Sequence, residues 1–72
     1  MKYYVVKRYS KRGKLQYVTS CEGIVYARDI ARMFKPGVKM HRMRGTGVGD
    51  FSVYEFCDLG DGERSFIFEV PE

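Results

Sequence analysis

The sequence predicts a small two-layer α+β domain, an antiparallel sheet with one helix on one face, in the order ββαβββ. Tyr-, Val- and Phe-rich segments recur between polar, glycine-bearing turns, which is the pattern of strands. A single stretch, Ala27, Ile30, Ala31 and Phe34, has the i, i+3, i+4, i+7 spacing of a helix with one apolar face. The chain has 72 residues, enough for one core and so one domain over 1–72.

Residues 2–9 are expected to form the first strand. Tyr, Val and Val favour a pleated surface and no breaker interrupts them. Both Val5 and Val6 are apolar, so alternation does not decide which face points inward. Ser10 to Lys14, with Gly13, reads as a hairpin loop, and Leu15 to about Ser20 as the second strand. Thr19 or Ser20 would cap the helix, and Glu22 would sit in its first turn, where a carboxylate favours the positive helix end. Gly23 weakens that turn, which moves the expected start towards Ile24. Arg28, Asp29, Arg32 and Lys35 lie off the apolar stripe and are expected to face water, and Lys35-Pro36-Gly37 stops the helix.

Val38 to Arg44 reads as a third extended segment, followed by the flexible glycine loop 45–50. Phe51 to Cys57 is the fourth strand, 58–63 a turn, and Ser65 to Val70 the fifth strand. Alternation places Leu15, Tyr17, Phe66, Phe68 and Val70 beneath the helix. It places Val18, Tyr54, Phe56 and Ile67 on the opposite face, beside Gln16, Ser20, Ser65 and Glu69. That second face is a plausible contact surface, because it is too apolar to be simply wet.

Charge is polarised along the chain. Residues 1–44 hold twelve Lys and Arg against two acids, a net of +10, and residues 45–72 hold one Arg against seven acids, a net of −6. The densest basic run is 7–14, KRYSKRGK, with Tyr9 among its cations. Basic surfaces attract phosphates through a long-range field. Two other readings compete: a solvated hairpin tip, and mutual neutralisation of basic and acidic strands across the sheet.

Other chemistries lack their components. One histidine and two cysteines, without a closely spaced pair, do not make a zinc site. The glycine loop GTGVGD has no GK[ST] and is followed by a strand-like run rather than a helix, so nucleotide binding is not expected. The turn 58–63, DLGDGE, misses calcium-loop spacing. His41 lies among Lys39, Arg42 and Arg44, which oppose its charged form, and nothing in the sequence pairs it with a nucleophile. No enzyme, cofactor or metal is therefore expected. The N-terminus has no signal-peptide core, and no apolar run approaches a membrane span. Those features and two cysteines suit a reducing cytoplasm with buried thiols.

Two functions remain. In the first, a nucleic-acid-binding module contacts phosphates through Lys7, Arg8, Lys11, Arg12, Lys14, Arg42 and Arg44, while Tyr9, Tyr4 or Tyr54 stacks on unpaired bases. In the second, a small inhibitor or adaptor binds a nucleic-acid-handling or defence protein, as some phage-encoded regulators do. It would use Tyr54 and Phe56 with the acids Asp50, Glu55, Asp58, Asp61 and Glu63. The concentration of cations in one segment favours the first. A homodimer, face to face or edge to edge, is compatible with either.

Overall fold

A computed structural model describes residues 2–42, 47–48 and 51–70. The elements are β1 (Tyr3–Tyr9), β2 (Leu15–Glu22), α1 (Ile24–Ala31), β3 (His41–Arg42), β4 (Gly47–Val48), β5 (Phe51–Gly60) and β6 (Glu63–Glu69). They form one antiparallel sheet in the order β2-β1-β6-β5-β3, with β4 also pairing β5. The α+β architecture is as expected, with an added short strand inside the glycine loop. The rest of that loop, and with it Arg44 and Asp50, lies outside the described residues.

The sequence explains each junction. The β1–β2 hairpin closes where Ser10 N–H donates to Lys14 C=O and Gly13 N–H to Ser10 C=O. Gly13 takes φ +81°, a conformation that a side chain disfavours. The β5–β6 turn is tighter than a six-residue loop: β5 runs on to Gly60, and Asp61-Gly62 makes the reversal with both φ values positive. Asp-Gly is the preferred pair for a two-residue turn of this kind. Thr19, Ser20 and Glu22 belong to β2, so none serves the helix start. Gly23 is the N-cap residue, with φ 88°, and no side chain caps the first turn.

The helix covers one face and packs closely because its inward residues are small. Ala27 and Ala31 are fully buried, against Val6, Cys57 and Ile67. This reverses the expected faces of β6. Ser65 and Ile67 lie under the helix, and Phe66 and Phe68 on the open side. Two alanines face the sheet, and Val6, Cys57 and Ile67 are fully buried with them, beside the nearly buried Tyr4. Leu15 and Tyr17, expected in the core, are exposed on the edge strand β2: Leu15 lies opposite Tyr9 on the open side, and Tyr17 opposite Arg8 on the helix side. The Val5/Val6 ambiguity resolves with Val6 in the core and Val5 only half-buried.

A bulge decides the faces of β5. Its register to β6 shifts between Val53 and Glu55, so one partner step faces two residues of β5. Tyr54 packs on the core beside Tyr4, with ring centroids 5.7 Å apart, and Glu55 is also buried. Phe56 then falls on the open face. Simple alternation, which had put Tyr54 and Phe56 together, fails at that extra residue.

Candidate functional site

The open face carries a row of rings, one from each of four neighbouring strands: Tyr9 on β1, Phe66 on β6, Phe56 on β5 and His41 on β3. Strand register sets the row, because Phe66 lies opposite Phe56, and Phe56 opposite His41. Tyr9 meets Phe66 edge-on at 5.7 Å, Phe66 lies 6.0 Å from Phe56 at 25°, and Phe56 lies 5.2 Å from His41 at 29°. Phe68 flanks Phe66 at 6.4 Å. Lys7, opposite Phe66 on β1, places Nζ 5.2 Å from the Phe68 ring centre. A groove of about 650 Å³ runs from Tyr9, Phe66 and Phe68 to the hairpin tip, lined also by Lys11, Val53 and Arg64.

The basic run therefore divides. Lys7 and Tyr9 face the open side, while Lys11, Arg12 and Lys14 project from the exposed tip at one end of the row. Arg8 turns to the helix side. Its guanidinium lies 3.6 Å from the Phe34 ring centre and 5.8 Å from that of Tyr17, with Nε buried and without a hydrogen-bond partner. Stacking on two rings offsets part of that desolvation. Arg8 is thus part of the helix-side packing and not of the tip. Phe34, expected in the core stripe, lies beyond the end of α1 and is exposed.

The acids do not form one surface. Glu55 is 3% exposed and accepts two hydrogen bonds from Arg28, from Nε at 3.0 Å and from Nη2 at 2.6 Å. Arg28 was expected to face water. It is instead half-buried against this carboxylate, and that hydrogen bond, above all, raises its pKa. Arg42 reaches the same carboxylate at 3.9 Å and donates to the Tyr54 hydroxyl at 3.1 Å. Tyr54 and Glu55 accordingly belong to the helix side and the interior, away from Phe56. Asp58 pairs with Arg64 at 2.8 Å, and Glu69 with Lys2 at 2.9 Å. Asp61 occupies the β5–β6 turn and Glu63 opens β6. This turn sits against the basic tip, since a Cβ on Gly62 would come within 2.7 Å of Lys11 Cγ. Partial neutralisation between the two halves of the chain is thus real. Even so, Lys7, Lys11, Arg12 and Lys14 form no ion pair among the described residues.

Cys21 and Cys57 are both free thiols. Burial raises the pKa of each, the opposite of what an activated nucleophile needs. Among the described residues no group of three or more His, Cys, Asp or Glu gathers to hold a metal ion. Among the described residues no helix is long and apolar enough to cross a membrane. No family model, no curated protein and no solved structure matches this chain.

Reading the sequence missed Phe66, Phe68 and His41 as members of the site. They take their places from strand register, Phe66 opposite Phe56 and Phe56 opposite His41, which a single strand's sequence does not display.

Proposed function

We propose that this protein is a non-enzymatic module that binds single-stranded nucleic acid across the open face of its sheet. The row Tyr9–Phe66–Phe56–His41 carries this reading, with Lys7 and Lys11 beside it. Bases present flat apolar faces that stack on such rings whatever their sequence, and lysines at the margin meet the phosphates. Adjacent strands are about 4.8 Å apart, so a row spanning four of them has the reach for two or three extended nucleotides. Arg64 can join them, because its exposed pair with Asp58 is of a kind worth little and is exchangeable for phosphate. A duplex buries its base faces in its own stack, so the row favours unpaired strands.

Fluorescence anisotropy with a labelled single strand and its duplex tests the proposal. Binding should favour the single strand and weaken with salt, with a log–log slope of about −0.7 per phosphate contacted. Phe66→Ala should weaken it by about 1–3 kcal/mol, as expected for loss of one stacked base. Lys11→Gln with Lys14→Gln should reduce the slope instead. No binding at low salt by the folded protein would overturn the reading and direct attention to a protein partner for the same face.

A further inference from the structure

We propose that the groove between the end of α1 and the segment leading into β3 is a phosphate-binding site, separate from the open face. It has a volume of about 550 Å³ and is lined by Arg28, Arg32, Lys39 and Arg42, with the buried Glu55 among them. Two negative features need compensation there: the Glu55 carboxylate, and the end of α1, worth roughly half a negative charge. Four cations against these leave a surplus of about two and a half positive charges. Holding Glu55 in place does not require that surplus. A phosphate monoester carrying about −1.5 to −2 charges matches it, and so do two consecutive backbone phosphodiesters of one charge each.

The cations are also ordered in advance. Arg28 is fixed by its two hydrogen bonds to Glu55, and Arg32 by donation from Nε to Arg28 C=O at 3.3 Å. Arg42 is fixed by the Tyr54 hydroxyl and by its place 5.0 Å from that ring centre. Side chains already held lose little freedom on binding. Guanidinium groups also offer paired N–H donors suited to phosphate oxygens. Arg32 has one weak competitor, Asp29 at 3.8 Å, which is largely exposed.

The phosphate has two possible sources. His41 and Arg42 are neighbours on β3, one facing the aromatic row and the other the groove. A nucleic-acid backbone leaving the row over this edge would arrive at the groove. A separate phosphorylated molecule would meet the same donors.

The test is a titration with inorganic pyrophosphate, followed by amide and arginine Nε–H signals in NMR. Saturable shifts at Arg32, Lys39 and Arg42 are expected, with affinity reduced at least about tenfold in a variant carrying Arg32→Gln and Lys39→Gln. Both replaced side chains lie outside the core, and the amide spectrum checks that the variant folds. Absence of saturable shifts, or equal affinity in that variant, overturns the proposal. Phe66→Ala should titrate like the parent, so failure of the open-face reading leaves this result unaffected. Competition by a long oligonucleotide but not a very short one supports the site and identifies the source as a backbone. Saturation without such competition supports it and points to a separate phosphorylated ligand.

Discussion

Glu55 is the residue on which most of the helix side converges. It sits on β5 in the interior beneath α1, where Arg28 donates to both carboxylate oxygens. Removing one partner of a buried pair costs more than removing an exposed one, because the other is left desolvated. Arg28 keeps partial access to water, which moderates the loss. Glu55→Gln should therefore lower stability by about 1–2 kcal/mol, read as a lower urea midpoint at unchanged slope. An unchanged midpoint would mean that the pair only replaces hydration. Cys57, also fully buried, is different: its Sγ lies 3.7 Å from Ala31 C=O and packs as a small apolar group.

At the scale of elements, the two hairpin tips are coupled. Gly62 lies against Lys11, and its φ of +81° already disfavours any side chain. Gly62→Ala adds a Cβ within 2.7 Å of Lys11 Cγ and 3.1 Å of Lys11 Cβ, atoms too near the backbone to swing aside. The expected cost is about 1–2 kcal/mol, with amide shifts in NMR at both 10–14 and 60–63. Shifts confined to the mutated turn would show that the tips move independently. The helix and four of the strands were legible in the sequence because Tyr, Val and Phe runs and one alanine-rich stripe are strong local signals, whereas the third, expected over 38–44, is a strand only at His41–Arg42, and β4 was not expected. The faces were less so. Alternation assigns sides only relative to a starting residue, and it loses phase at Tyr54, where the extra residue is a property of pairing with β6 and not of β5 alone. The basic tip was legible as a run of charge, but the ring row was not, since it exists only once four strands are in register.

At the scale of the whole molecule, the charge asymmetry along the chain becomes a set of ties between distant segments. Lys2 meets Glu69, and Arg28 meets Glu55. Each joins the cationic half to the anionic half, and β1 pairs with β6 almost the full length of the sequence away. Before any strand forms, the two halves already attract one another. The denatured ensemble at low ionic strength should then be more compact than a neutral chain of the same length. Bringing β1 to β6 is the costly loop closure in this topology, and prior attraction shortens the search. Added salt should screen it, with a Debye length of about 10 Å at 0.1 M falling to about 3 Å at 1 M. Refolding in stopped-flow experiments should slow between those concentrations of sodium chloride, and a refolding rate indifferent to salt would show that the halves find each other by other means. The order of charges along the chain would then govern how quickly the sheet closes, as well as what its surface attracts once closed.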